Sequence, residues 1–578
     1  MSAPSLFHLA SKAVAKGIHE ETIPIGYVLD AKCSNPVFAE LLYLDPCGIP
    51  NLEGLSISEM DFRHVTTTLF TSILPSLSKF NLTSLSLGDL ALAALLFPFE
   101  NGSVEDSVSI SEFSDTEVVD IVELLKSAAN EKTRRSLRHL GLRGEQEFGE
   151  GWELEVSKLF PSLVSIDINS KIPSDSFLAD FCLAFANLRH LDISSTNPQY
   201  LMGLENLKNL EKLVMCDVRV VDEHQYAVLS KLGNLRHLDV SSIKNSGNPR
   251  YRSPVVATML IAGVRMEKLE FLDCSRTLMG DEELKQFVSS HPMLKMVVAI
   301  GINFLRQAPP GIHLIHHATP SSTIECVKYS ISMRKHLATY ECLLKIFVEL
   351  RNHINNIRAL EGATIRNYHM LMLEVMRDPR AREQSKLLAF KCVSEVSRSD
   401  TIHLFTSREN VLRMMFAAWK NSGRLKRSTI SLLYSLLEDI AGSRTSGQRI
   451  STDLLNVVLS VIVDLIEEDP SKFCITYRVL EAIGETLSWD QSLEVSPEIV
   501  RKFFELAERM VAREKYGSVR AILFFVCVHL KRAVHSRSDL VTSGVAGRLC
   551  KALEGLKRNE TFAILWALSK VLRSLMVS

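Results

Sequence analysis

No two cysteines stand in a CxxC pair in this 578-residue chain; all eleven are scattered singly. A zinc ribbon or RING-type site needs paired thiolates a few residues apart, so that class of metal site is excluded. Isolated thiols in a chain of this length fit a reducing compartment. Apolar runs are also short: residues 454–466 are broken by Ser460 and Asp464, and 521–530 end too soon. A membrane-spanning helix needs on the order of 18 continuous apolar residues, so none is expected. The start of the chain has no basic segment followed by an apolar core and a small-residue cleavage site, so no secretory leader is expected. GxxxxGK[ST], GxGxxG after a strand, HExxH and GxSxG are all missing. No catalytic, cofactor-binding or metal-binding residue is therefore expected, and no enzyme. A cytoplasmic location follows, with the nucleus as a second compartment.

The charge balance of −1 conceals a division. Residues 1–319 carry 28 basic and 39 acidic side chains, and residues 320–578 carry 38 and 28. A chain of this length exceeds a single core, and the charges separate an acidic module from a basic one.

The front module is a repeat array. An L-x-x-L-x-L pattern recurs as Leu52-Leu55-Ile57, Leu82-Leu85-Leu87, Leu137-Leu140-Leu142, Leu163-Ile166-Ile168 and Leu188-Leu191-Ile193. It continues as Leu210-Leu213-Met215, Leu235-Leu238-Val240, Leu269-Leu272-Cys274 and, more weakly, Leu294-Val297-Ala299. From Leu137 the copies are 26, 25, 22, 25, 34 and 25 residues apart, the period of leucine-rich repeats. The second and third apolar residues of each triplet are two apart, so they share one face of a strand and point into a common core. Segments 157–160 and 226–232 hold apolar residues at helical spacing and cover the convex side. Thr196 and Thr277 stand where such repeats customarily place Asn. The long interval implies an inserted loop at 241–252, and the acidic, Ser-rich segment 100–117 also reads as loop.

Pro309-Pro310-Gly311 and Pro320 mark residues 309–320 as a linker, with His313, His316 and His317 inside it as solvated side chains. Beyond it the pattern becomes paired amphipathic helices. Their later members are 340–353, 384–396, 428–440, 476–487, 518–530 and 561–575. With Leu344, Phe390, Leu433, Leu480, Leu523 and Leu565 as markers the intervals are 46, 43, 47, 43 and 42 residues, the armadillo or HEAT period. The expected fold is an α/β solenoid followed by an all-α solenoid. The domains are a leader region at 1–45, leucine-rich repeats at 46–308, and armadillo-like repeats at 321–578.

In the leader, Leu6, Ala10 and Val14 are four apart and form one stripe of a short helix. Such a helix either caps the first repeat or offers itself to a partner's groove. The stripe resembles the Elongin-binding box, (S/T)-L-x-x-x-(C/A/S)-x-x-x-hydrophobic, of cullin-RING ligase receptors. Ile23-Pro24-Ile25-Gly26-Tyr27-Val28-Leu29 and Asn35-Pro36-Val37-Phe38-Ala39-Glu40-Leu41-Leu42 resemble a cullin-two box. In this order, with leucine-rich and then armadillo repeats, the chain resembles the Zyg-eleven/Zer-one family of cullin-two substrate receptors.

That resemblance implies a non-catalytic subunit of an Elongin BC–cullin-two ubiquitin ligase that binds a protein substrate or degron peptide through its repeats. It assigns Elongin C contact to Leu6, Ala10 and Val14, with Elongin B alongside, and cullin-two contact to Pro24 and Pro36. The family's armadillo pocket for N-terminal glycine is built on Leu-Trp-Asn-Leu-Thr-Asp, which aligns with Leu433-Tyr434-Ser435-Leu436-Leu437-Glu438. Tyr434, Ser435 and Glu438, with Glu485 and Ser488 of the next helix, become the implied substrate-binding residues. Tyr434 and Ser435 replace Trp and Asn, and Leu523-Phe524-Phe525 replaces a run of small residues, so weak or absent affinity for glycine-starting peptides is expected. Neither a membrane nor nucleic acid is an expected partner. The alternative is a protein-interaction scaffold of the same architecture without ligase partners.

Overall fold

The computed structural model describes residues 6–23, 30–44, 55–63, 73–88, 118–144, 147–169, 177–196, 198, 200–218, 220, 222–242, 252–302, 308–355, 360–378, 381–398, 452–468, 480, 494–512 and 522. The chain divides into two compact units, Met1–Ser322 and Thr323–Ser578.

The first unit is a ten-stranded parallel sheet in strict chain order, one strand per repeat. The strands are β1 (Glu59–Asp61), β2 (Ser84–Ser86), β3 (His139–Gly141), β4 (Ser165–Asp167) and β5 (His190–Asp192), then β6 (Lys212–Val214), β7 (His237–Asp239), β8 (Phe271–Asp273), β9 (Met296–Val298) and β10 (His313–Ile315). Parallel neighbours need a crossover between them. Short helices supply it: α3 (Ile121–Ala128), α4 (Glu131–Ser136), α5 (Trp152–Leu159), α6 (Phe177–Ala184), α7 (Val255–Ile261) and α8 (Asp281–Ser290), with 3-10 turns at Leu74–Lys79, Leu204–Asn206 and Glu223–Lys231. Ahead of the sheet stand α1 (Leu6–His19) and α2 (Ala31–Leu44).

The middle residue of every strand is apolar, buried and in register with the next, from Met60 through Leu85, Leu140, Ile166, Leu191, Leu213, Leu238 and Leu272 to Val297 and Leu314. Each such burial stabilises by about 2 kcal/mol. The triplets of the sequence thus become columns of one continuous core. The crossovers close it, as where Trp152 packs edge-on to Phe148 at 5.2 Å and reaches Phe181 at 6.2 Å.

Two expectations are corrected. The first repeat is not Leu52-Leu55-Ile57 but Ile57-Met60-Phe62, because Met60 is the residue that pairs with Leu85. Leu55 is buried too, so hydrophobicity alone does not separate the two triplets. Residues 309–320 are not a linker. Gly311, at φ +79°, turns the chain into β10, where Leu314 pairs with Val297. His317 Nδ1 accepts the Gly301 N–H at 3.0 Å, and Pro320 opens a helix, a position where its missing N–H has no intrahelical partner to lose. The loop expected at 100–117 lies outside the described residues, as do residues 243–251 of the 241–252 insertion.

Turn chemistry repeats as faithfully as the core. Counting from the first leucine of each triplet, the eighth residue is left-handed in five repeats: Gly144, Ser195, Asp217, Arg276 and Gly301. The N–H of the following residue closes a turn onto the carbonyl three back, as in Thr196 to Ile193 at 3.3 Å and Thr277 to Cys274 at 3.2 Å. A positive φ at the third residue of such a turn is the type II signature. The left-handed N–H itself reaches the next repeat, Ser195 to Cys216 O at 2.7 Å and Arg276 to Ile300 O at 2.7 Å. Thr196 and Thr277, in the usual Asn place, bond Ile193 O and Cys274 O with their hydroxyls, both at 2.6 Å.

The second unit, where described, is helical: α9 (Pro320–Ser332), which begins three residues before the division, then α10 (His336–Ile354), α11 (Gly362–Arg377), α12 (Glu383–Arg398), α13 (Thr452–Glu468) and α14 (Pro497–Ala512). Helix α12 packs on both α10 and α11, and α13 packs on α14, the stacking that the helical period anticipates. Leu344 departs from its place as a core marker. It is exposed with Tyr340 and Val348, while Cys342, Leu343 and Ile346 face inward. Among the described residues no helix is long and apolar enough to cross a membrane.

Two substitutions separate backbone strain from packing. Ser195→Gly removes a side chain from a left-handed residue and should stabilise the first unit by about 1 kcal/mol. At Gly203 (φ +103°) an added Cβ would meet the Ala179 Cα at only 2.4 Å, so Gly203→Ala should destabilise by about 1–3 kcal/mol. Urea unfolding of the two variants against the parent reads both signs.

Candidate functional site

Two surfaces carry polar chemistry: the helical cap ahead of the sheet, and the concave face of the sheet itself.

Helix α1 turns Ser11 and Ala15 inward, both buried, and packs Val14 and Ile18 against the repeat core. Ala10 stays exposed. At 100° per residue, positions 10 and 14 lie to one side of the 11–15–18 face, so anchoring the helix leaves part of the box stripe open. The cap reading of this helix is thus observed. The Leu6 side chain is outside the described set.

Helix α2 seals the edge of β1. Asp30 caps it, accepting the Cys33 N–H at 2.8 Å, which holds its carboxyl below the usual range. Asn35 Oδ1 accepts the Ser58 N–H at 2.9 Å and the Glu59 N–H at 3.3 Å, while its Nδ2 donates to Ser58 Oγ at 3.0 Å. Ser34 Oγ accepts the Ser56 N–H at 3.1 Å. Among the described residues no strand pairs with this edge of β1, and these side chains satisfy donors that an open edge would leave exposed. Pro36 sits half-buried beside them inside α2, and Pro24 lies outside the described residues.

On the sheet face, the residue after each strand's central apolar position is repeatedly aspartate. Asp61, Asp167, Asp192, Asp239 and Asp273 each accept the backbone N–H two residues on, at 3.1, 3.1, 2.9, 3.0 and 2.9 Å. The ladder holds the chain as it leaves the strand and enters the turn. Serines extend it sideways: Ser194 Oγ accepts the Cys216 N–H and Ser275 Oγ the Ile300 N–H, both at 3.2 Å. Sequence reasoning passed over this feature. Its signal is the recurring Asp-x-Ser/Asn after the second apolar residue, as in Asp192-Ile193-Ser194, Asp239-Val240-Ser241 and Asp273-Cys274-Ser275.

At one end of the ladder two arginines enter it. Arg63 Nε lies 2.7 Å from Asp61 Oδ1. Arg143 Nε bonds Asp167 Oδ2 at 2.7 Å and reaches Asp192 at 3.7 Å. One guanidinium thus serves two carboxylates, and burial together with the neighbouring Asp167 pushes Asp192 up to about 6. Beside them His139 bridges Ser86 Oγ at 3.2 Å and Ser165 Oγ at 2.8 Å, and burial lowers its pKa. Among the described residues no group of three His, Cys, Asp or Glu could hold a metal ion. The armadillo candidates Tyr434, Ser435, Glu438, Glu485 and Ser488 all lie outside the described residues.

An in-register parallel sheet of one strand per repeat, with a helical unit after it, defines a leucine-rich repeat protein. A family model described as Zer-1-like leucine-rich repeats matches residues 179–297. Gastrulation-defective protein 3 of Caenorhabditis elegans is 28% identical over 329 residues, covering 56% of this chain and 44% of that protein. The chain thus matches less than half the length of that relative. On these matches residues 179–297 are similar to the leucine-rich repeats of Zer-1-like proteins. Among solved structures, a Listeria monocytogenes internalin shares 12% identity over 47% of this chain and 69% of its own, with a TM-score of 0.24. A structure of the Rad7 and Elc1 complex in yeast shares 13% identity over 54% of this chain and 98% of its own, with a TM-score of 0.20. At such scores neither likeness bears on function.

The Asp192 carboxyl supplies a pH test. Its folded pKa lies above the unfolded value, so ionisation opposes folding: the penalty grows from about pH 4 and is complete above about pH 6. Asp192→Asn keeps the acceptor for the Ser194 N–H and removes the charge. It should stabilise the protein by about 1 kcal/mol at pH 7.5 and have little effect near pH 4, read by urea unfolding at each pH.

Proposed function

We propose that this protein is the substrate-recognition subunit of an Elongin BC–cullin-two ubiquitin ligase, with no catalytic residue of its own. Helix α1 presents Leu6 and Ala10 to Elongin C, which is joined by Elongin B, with Val14, half-buried against the repeat core, at the margin of that contact. The segment around Pro24 and Pro36 meets cullin-two, and the repeats hold the target protein or degron peptide. Its contribution is proximity: a substrate lysine held near the ubiquitin-charged subunit reacts at a raised effective concentration. The reading places the protein in the cytoplasm, with the nucleus as a second compartment.

The observation that carries this reading is the pair of faces on α1. Ser11 and Ala15 are buried against the repeat core, yet Ala10 of the box stripe stays exposed, so one helix can be anchored and still offer a ledge to a groove. The likeness of residues 179–297 to Zer-1-like leucine-rich repeats supports the same reading. In the second unit we assign substrate contact to Tyr434, Ser435, Glu438, Glu485 and Ser488. A carboxylate at Glu438 or Glu485 would offset the lost hydration of a peptide α-ammonium.

Purification of the tagged full chain from cells should recover Elongin B, Elongin C and cullin-two. Recovery of none of them would favour the scaffold alternative. Leu6→Ser should weaken Elongin C capture about 30- to 100-fold, the loss of a buried leucine anchor, with an unchanged circular dichroism spectrum. Capture at parental yield would refute the box assignment.

Peptides differing only at their first residue test the second unit. Binding without preference for glycine is expected, and tight glycine-selective binding abolished by Glu438→Ala would show that the family pocket is intact.

A further inference from the structure

One column of the concave face has no part in the aspartate ladder or the cap. It is formed by the first residue of each strand, and from β5 to β10 it reads His190, Lys212, His237, Phe271, Met296 and His313, each in register with the next. His190, His237 and His313 are exposed and the other three are half-buried. Adjacent strands lie about 4.8 Å apart, so the first three form a continuous strip of two imidazoles around an ammonium.

Charge compensation stops at Lys212. In the column alongside, Arg189 pairs with Glu211 through Nε at 3.0 Å, and Glu270 takes both Arg236 and Lys295 at 3.2 Å. Lys212 has no ion pair among the described residues, and both of its cross-strand partners are histidines. Like charges directly opposite one another destabilise a sheet, so Lys212 disfavours protonation of both imidazoles. Here they sit on a unit whose sequence is acidic overall, with 39 acidic against 28 basic side chains in residues 1–319. Further along the same column, His237 leans on the Phe271 ring at 5.5 Å, and Phe271 and Met296 give the strip a half-exposed apolar end.

We infer that the His190–Lys212–His237 strip is a docking site for an acidic peptide segment of a partner protein, crossing the strands with an apolar side chain placed over Phe271 and Met296. Charge complementarity selects the occupant: a carboxylate would pair with Lys212, which has no ion pair among the described residues. From His190 to Met296 spans four strand spacings, or about 19 Å, which an extended peptide of about six residues covers. The site lies within the leucine-rich unit and does not depend on the ligase reading.

The histidines make docking pH-dependent. His190 faces Ser165, Lys212 and His237, with Arg189 and Glu211 nearby, and its pKa is lowered by partial burial first and Lys212 second. His237 faces Lys212 and Phe271, with Arg236, Glu211 and Glu270 nearby, and is lowered for the same two reasons in the same order. A bound carboxylate favours both imidazolium forms, so affinity should rise as pH falls from 7.5 to 6.0.

The test is fluorescence anisotropy of the full chain with a labelled hexaglutamyl-leucine peptide at pH 7.5 and 6.0. Saturable binding that tightens at pH 6.0 is expected. Lys212→Glu should weaken it about ten-fold or more, the paired His190→Ala and His237→Ala variant should flatten the pH response, and Lys158→Glu on α5 should leave it unchanged. The inference is overturned if the peptide does not bind, if hexalysyl-leucine binds as well, or if Lys158→Glu costs as much as Lys212→Glu. Tighter binding of a seven-nucleotide thymidine strand would likewise overturn it in favour of a nucleic-acid surface.

Discussion

Everything in the first unit depends on one apolar side chain per repeat arriving at the same height in the core. A three-residue strand is far too short to stand alone, and a single strand–helix unit has no opposite wall to bury its leucine against. Stacked in register, each central residue is covered by the repeats on either side. This explains why insertions of very different length between repeats leave the sheet intact. Leu238 and Leu272 pair as squarely as Leu213 and Leu238, although 34 residues separate the first two and 25 the second. Extra residues lengthen a loop at small entropic cost, whereas a slip of one residue would turn the core column outward.

A parallel stack creates a polar problem at two places, and side chains solve it at both. Each strand ends after three residues, so its following amides need acceptors; the aspartates supply them repeat by repeat, and the left-handed residue hands the next N–H to the adjacent repeat. The open edge of β1 needs a partner, and Ser34 and Asn35 of α2 provide one. The consequence is a crowding of carboxylates: burial and the neighbouring Asp167 raise Asp192 to about 6, even with Arg143 in reach of both.

Much of this was legible in the linear chain. The leucine period identified the solenoid, the shift in spacing and charge located the second module, and Thr196 and Thr277 were found in the turn position the sequence assigns them. Other features escaped because local pattern cannot rank equivalent candidates. Leu55, Ile57, Met60 and Phe62 are all apolar, and only pairing with β2 selects the last three as the first repeat. Leu314 and Ile315 stood between prolines and histidines and so read as linker, though a three-residue strand needs little more than Leu314 to complete it.

The repeat period, nearly all of the core residues and the junction between an acidic and a basic module follow from the linear chain alone, because spacing and hydrophobicity act through neighbours a few residues away. Folding in three dimensions was needed to fix which strand begins and which ends the sheet, that the aspartates cap turns, and that His190, Lys212 and His237 lie side by side. Those three are 22 and 25 residues apart in the chain. Only the registered sheet converts such intervals into a spacing of about 4.8 Å, where charges act on one another.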